Sequence, residues 1–316
     1  MVVKKSKRLP GTEEGRRLRR NRIIGDNILG TCMAAPPFLA FVLFSLIPMG
    51  FSLYISFMDL HTVVLDAAKP VGFQNYIKVL TDEMTYQSIA NTARYCVHVL
   101  WDLVVAIFLA NLLSSRKIFG KNFVRVVWFL PSVVPAVATT VMWSWIFNEN
   151  YGVVNQILTF LGLGKFEPYT NPDHFLPAVW LLRLWIGGTN IILLQSAFAG
   201  VNKSLQEAAR LDGATERQVF WKITLPQISP TIFYLLIMNF VAAAQEMATM
   251  QVFANSTVGP GGQALTVAYY LQRMIGVELQ AKGYGMSCAL SWIYSIILIA
   301  ITRIGFRISD KIVSYD

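Results

Sequence analysis

Charge is scarce in this sequence. Asp, Glu, Lys and Arg make up 14% of its 316 residues, against 54% hydrophobic residues. Soluble domains carry about 25% charged residues, so the balance argues against a water-soluble fold and points to lipid as the solvent. Cysteine is rare too: Cys32, Cys96 and Cys288. An odd number, widely separated, excludes a disulfide framework and any metal-ligand spacing; the three read as small apolar core residues. The three histidines, His61, His98 and His174, lie in no H-E-x-x-H, and no G-x-S-x-G or C-x-x-C accompanies them. A membrane-embedded enzyme would need a nucleophile and a base in proximity, and none is indicated. A GxxxxGK[ST] phosphate loop is also missing. Gly162-Leu163-Gly164-Lys165 comes nearest but has the wrong spacing. No cofactor is expected in this chain.

Long apolar runs are what the sequence has in abundance. About 20 apolar residues cross the hydrocarbon as a helix, and six stretches qualify: Ile28–Phe57, Ile89–Leu113, Phe123–Phe147, Phe175–Phe198, Ile228–Phe253 and Met286–Phe306. The first follows a basic tail, as a signal peptide would. It is too long for an h-region and no A-x-A-like site follows it, so it is expected to be an uncleaved span. Pro36, Pro37 and Pro48 fall in the first run, Pro131 and Pro135 in the third. Membrane helices tolerate proline because neighbours re-satisfy the freed carbonyls. The expected fold is an all-α membrane bundle of six helices. Residues 1–27 form a basic tail, 28–307 the six-span domain, and 308–316 a C-terminal end.

The net charge of +9 at first suggests nucleic acid, but the distribution excludes it. Nine Lys and Arg precede residue 23; Arg116, Lys117, Lys121 and Arg125 flank the second connection; Lys203, Arg210, Arg217 and Lys222 fill the fourth; Arg303, Arg307 and Lys311 end the chain. The alternate connections carry only Lys69, Lys78, Lys165, Arg273 and Lys282. Twenty against five places the first set, and both termini, in the cytosol by the positive-inside rule. Trp143, Trp145, Phe147 and Tyr151 cluster at the outer end of the third run, where an aromatic belt is expected. The outer stretches Met58–Ser88 and Ala254–Gly285 are long enough to carry short helices.

One cytoplasmic connection is too organised for a simple linker. Residues 202–230 read NKSLQEAARLDGATERQVFWKITLPQISP. Ser204 with Glu207 matches a capping box, predicting a helix from Leu205. Gly213 supplies a residue able to adopt the left-handed conformation and stop it. Thr215 with Gln218 makes a second capping box, and Pro226 is expected to end the second helix. Ala208 and Ala209 permit close approach by another surface, and Glu207, Arg210 and Asp212 offer charge. Two short helices at a sharp turn suit a docking element; a bland surface loop is the alternative.

Glu207-Ala208-Ala209, Asp212-Gly213-Ala214, Phe220, Ile223, Leu225, Pro226 and Pro230 together resemble the EAA loop of binding-protein-dependent ABC importer permeases. Leu130-Pro131-Ser132, Phe147-Asn148 with Gly152, and Gly259-Pro260-Gly261-Gly262 are similar to the carbohydrate branch, in particular its maltose-, trehalose- and glycerol-phosphate-type members. The resemblance covers the chain from about residue 30 onward. It implies a type I importer permease working by alternating access beside a second, homologous permease. Glu207, Ala208, Ala209, Asp212 and Gly213 would form the coupling helix seated in a separate ATPase dimer. An extracellular or periplasmic solute-binding protein would deliver the sugar.

Ionisable residues inside a span are rare and usually paired or functional. Arg94, His98 and Asp102 recur at four-residue spacing and are expected on one helix face, as a ladder toward other helices. The fourth run holds Arg183, Trp185 and Asn190, the fifth Asn239, Gln245 and Glu246. Sugar binding needs aromatic faces and hydroxyl-pairing amides or carboxylates, so Arg183, Trp185, Asn190, Gln245 and Glu246 are the expected substrate residues. The resemblance adds Ser132. It also implies a neutral amide where this chain has Arg183, which raises an anionic sugar as cargo, since guanidinium suits carboxylate or phosphate. Mutual neutralisation of Arg183 and Glu246 is the other reading. An ion-driven secondary transporter is the alternative function, with Glu246 and Asp102 its only candidate coupling carboxylates.

Overall fold

The computed structural model describes residues 30–61, 68–114 and 119–312. The basic tail 1–27, Arg116, Lys117 and residues 313–316 lie outside the described residues. The chain divides into two compact units, residues 1–55 and 56–316.

Among the described residues, four helices are long and apolar enough to cross a membrane: Gly30–Ser56, Glu83–Ser114, Glu216–Ala244 and Ala281–Ser309. Two bent pairs pass the same test together, Lys121–Val133 with Ala136–Ile146 and Pro172–Ile186 with Gly188–Gly200, so six crossings result if each pair is one. In the first unit, helix 30–56 would measure about 40 Å at 1.5 Å per residue. It contains a wider π-turn at Val42–Leu46, just before Pro48. The same device recurs in the second unit, where a π-turn at Phe220–Thr224 precedes Pro226. Proline removes a donor and crowds the carbonyl four residues back; a π-turn shifts the pairing by one residue and relieves both. Pro226 therefore does not end a helix, contrary to the expectation from sequence. The helix runs on through Pro226 and Pro230 to Ala244.

Four of the six runs are less regular than expected. The third is not one rod: it turns by 108° between Val133 and Ala136. Pro131 sits inside its helix, but Val134 before Pro135 is extended (ψ 138°), as the residue before proline prefers. The fourth bends by 47° at Gly187. The fifth stops at Ala244 and resumes as the short helix Ala248–Phe253 rather than continuing to Phe253. The second begins at Glu83, earlier than expected, because Asp82 caps it by accepting the Thr85 N–H at 3.1 Å. At Val97 this helix tightens: Val97 N–H reaches Arg94 O and Leu100 N–H reaches Val97 O. That three-residue turn rotates the register, so Arg94 is exposed while His98 is buried. The ladder expected for Arg94, His98 and Asp102 thus contains only the last two.

Short elements fill the long connections, as their length predicted: helices Gln74–Thr81 and Val267–Ile275, and a two-residue antiparallel pairing of Met58–Asp59 with Lys69–Pro70. Two apolar clusters hold the second unit together. The larger gathers Tyr95, Phe147, Phe175, Leu182, Met250, Phe253 and Tyr269, all buried. Phe147 is therefore a core residue and not part of an interfacial belt; Trp145 and Tyr151 of that expected cluster are exposed. The smaller cluster brings Leu103, Ala106, Ala110 and Leu113 against Ile191, Leu194 and Leu235. Ala106 and Ala110 are one turn apart, the small-residue spacing that lets membrane helices approach closely.

Candidate functional site

Residues 203–219 form one short helix, Lys203–Leu211, and the first turn, Glu216–Val219, of the long helix that runs to Ala244. The short helix starts two residues earlier than the Ser204–Glu207 box predicted. Asn202 is the cap, its carboxamide oxygen accepting the Ser204 N–H at 3.0 Å and the Ser204 hydroxyl at 2.8 Å. Asn competes well for that position, and the Ser204 hydroxyl is spent on it. The stop is as expected. Gly213 has φ +86°; its N–H reaches Arg210 O, and Ala214 N–H reaches Ala209 O at 2.9 Å. These two bonds close a Schellman motif, satisfying carbonyls that a helix end leaves open. Thr215 and Gln218 make the expected reciprocal capping box.

A bidentate ion pair braces the turn. Arg210 Nε donates to Glu216 Oε1 at 2.6 Å and Nη2 to Oε2 at 3.1 Å. The Glu216 carboxylate holds the guanidinium above its ordinary pKa. No residue of Lys203–Leu211 is buried. Glu207, Ala208, Asp212 and Gly213 are exposed and Ala209 is half-buried. Leu205 and Leu211 are exposed as well, Leu211 by 89%.

A second polar assembly lies deep among the long helices. A cavity of about 160 Å³ is lined by His98, Asp102, Arg183, Thr189, Asn190 and Asn239, with apolar neighbours. Arg183 Nη1 pairs with Glu246 Oε2 at 3.4 Å. Glu246 Oε1 accepts the Thr249 N–H at 2.9 Å, which anchors the carboxylate to the start of the helix after the break. Asn239 Nδ2 donates to Asn190 Oδ1 at 3.2 Å. His98 Nε2 lies 3.7 Å from Asp102 Oδ2. Arg183 Nε and Asp102 Oδ1 are buried without a hydrogen-bond partner among the described residues.

The structure gathers some of the expected substrate residues and separates others. Arg183 and Asn190 share the cavity, and Glu246 joins through the ion pair. Trp185 does not: two residues beyond Arg183, it projects to another helix face. It lines an apolar groove of about 430 Å³ with Trp128 and Trp143, their rings each 6.2 Å from its own. The Ser132 hydroxyl donates to Phe129 O at 2.7 Å, away from the cavity lining. Gln245 is exposed at the helix break. His98, Asp102 and Asn239 were not expected to line the site. The legible signal was the rarity of ionisable residues at membrane depth; what sequence hid was the rotation at Val97.

Residues 102–314 match the family of binding-protein-dependent transport system inner membrane components. The chain belongs to that family. The permease is 33% identical over 92% of its length to the probable ABC transporter permease protein YesP of Bacillus subtilis, covering 93% of that protein. It is 30% identical over 93% of its length to the sn-glycerol-3-phosphate transport system permease protein UgpA of Agrobacterium fabrum, covering 98% of it. Its fold matches a solved bacterial ABC transporter involved in import of the acidic polysaccharide alginate, with a TM-score of 0.77 at 22% identity, over 94% of this chain and 100% of that one. Membership makes this a multi-pass membrane protein and a non-catalytic transport subunit.

Proposed function

We propose that this permease is one of two homologous transmembrane subunits of an ATP-binding-cassette importer that takes up a sugar or oligosaccharide. The observation that carries the reading is the braced turn at 203–219. Its backbone is locked by two caps, a Schellman motif and an ion-pair fork, yet Leu205 and Leu211 on it are exposed. A rigid element with an open apolar and charged face transmits force to a partner; a bland loop would be neither braced nor apolar. In this reading Glu207, Ala208, Ala209, Asp212 and Gly213 seat in a cytosolic ATPase dimer. Closure of that dimer on ATP and Mg moves the turn and reorients the bundle between inward- and outward-open forms.

The cavity volume supports a paired subunit. Ligand pockets span about 300–1,000 Å³, and the 160 Å³ bounded by this chain is too small for a disaccharide. The passage is completed by the second permease and supplied by an extracellular binding protein. The Arg183–Glu246 pair is balanced in charge and, with Asn190 and Asn239, offers donors and acceptors suited to hydroxyls. An anionic sugar is the second reading, favoured by the unpartnered Arg183 Nε. Better competition for uptake by a uronic than by a neutral oligosaccharide, lost in Arg183→Ala, would select it.

The test is a cysteine at the turn. Leu211→Cys, in the complex as expressed, is expected to crosslink to a co-purifying nucleotide-binding subunit, and the purified complex to contain a second permease. Crosslinks that never reach an ATPase would remove the coupling role and with it this reading.

A further inference from the structure

The second long helix ends at Ser114, the first bent pair starts at Lys121, the second pair ends at Gly200 and the helix that carries the fifth run starts at Glu216. A cavity of about 600 Å³ lies among these four ends. Its walls carry Lys121, Arg125, Lys203 and Arg210, and Glu216 is the one carboxylate among its lining residues. Glu216 is engaged bidentately by Arg210. No carboxylate stands within ion-pair distance of Lys121, Arg125 or Lys203 among the described residues. Two buried donors in the same lining, Arg125 Nε and Gln195 Nε2, have no partner there either. Unpaired buried donors are costly, and a concentration of uncompensated cations is costly as well.

We propose that this cavity binds a phosphate group, of the kind an anionic phospholipid headgroup carries. A phosphate brings several acceptor oxygens and negative charge into one small volume, which matches donors converging from separate elements. Guanidinium and ammonium groups bind it by charge-assisted hydrogen bonds. Depth supports the headgroup as its source. The cavity lies where apolar helices end, the level of lipid phosphates, and basic pockets between membrane helices recognise such headgroups. This holds on whichever side of the membrane the cavity opens, so it stands apart from the coupling role proposed above. A lipid wedged here would brace the base of the 203–219 turn.

Native mass spectrometry of the full-length chain in detergent tests the site, with phosphatidylglycerol or phosphatidylcholine added. Preferential retention of phosphatidylglycerol is expected, falling about tenfold in the double variant Arg125→Gln/Lys203→Gln, as the loss of a charge-assisted bond implies. Lys78→Gln, an exposed cation elsewhere, should leave retention unchanged. Gln195→Leu keeps every charge and removes one buried donor; a reduction there supports the site even if the double variant fails to fold. Displacement of the lipid by excess inorganic phosphate would assign the site to soluble phosphates, and resistance to it would assign the headgroup; either outcome keeps the phosphate. Equal retention by native chain and Gln195→Leu together with the double variant, or no binding of either probe, overturns the proposal.

Discussion

Asp82 caps the second long helix and ties two other elements to its start. One oxygen accepts Lys282 Nζ at 2.6 Å; the other accepts the Tyr270 hydroxyl at 2.5 Å and the Thr85 N–H and hydroxyl. Burial raises the carboxyl pKa, but Lys282, Tyr270 and Thr85 together outweigh it, so the net shift is downward. Burial and then the Asp82 bond push the Tyr270 phenol up. Asp82 and Lys282 are 12% and 22% exposed, so solvent screens the pair only partly. Asp82→Asn removes the charge and strands the ammonium, and should cost about 1–3 kcal/mol at neutral pH, read as a lower thermal unfolding midpoint in detergent. A carboxyl with a depressed folded pKa stabilises above its unfolded pKa, and that contribution is lost as pH falls through the folded value. The gap between native chain and Asp82→Asn should therefore close below about pH 4. A gap of equal size at pH 7 and pH 3 would show that the carboxylate charge is not its source.

At the scale of elements, Gly188 sets how closely the fourth run approaches the third. A Cβ there would meet the Trp128 carbonyl oxygen, with the Trp128 carbonyl carbon at 2.9 Å and Phe129 Cα at 3.0 Å. These are backbone atoms, so no rotamer change relieves the clash. Gly188→Ala should destabilise by about 1–3 kcal/mol, the cost of overpacking, and an unchanged unfolding midpoint would mean that the close approach does not persist. Nothing in the sequence around Gly188 announces this, because close approach is a property of two helices at once. Local chemistry was readable where it depended on nearby residues alone: Gly213 stopping its helix, and Thr215 with Gln218 starting the next. Reading failed where two local rules competed. Ser204 lost its cap to Asn202. Pro226 lost its breaking power to the π-turn before it. Arg94 was separated from His98 and Asp102 by one tightened turn at Val97, which nothing in their spacing announces. The same limit split the substrate residues, since Arg183 and Trp185 look adjacent in sequence yet line different hollows.

For the whole molecule, the apolar runs were legible because lipid demands them, but whether the 108° pair crosses the membrane is not a matter of hydropathy. If Lys121–Val133 and Ala136–Ile146 re-entered on one side, every later segment would change sides. Lys203, Arg210, Arg217, Lys222, Arg303, Arg307 and Lys311 would move outside, and Lys165, Arg273 and Lys282 inside. The balance of basic residues would fall from twenty against five to sixteen against nine. Cytoplasmic Lys and Arg set orientation in short loops, so the bent pair is expected to cross, with the 203–219 turn in the cytosol. Two exposed leucines report this: Leu163, 57% exposed, and Leu211, 89% exposed. With Cys32, Cys96 and Cys288 replaced by alanine, a membrane-impermeant maleimide should modify Leu163→Cys in intact cells and Leu211→Cys only after permeabilisation. The reverse labelling would make the pair a re-entrant loop. It would also put the braced turn beyond the reach of any cytosolic ATPase, so this one measurement bears on both the path of the chain and the way it is driven.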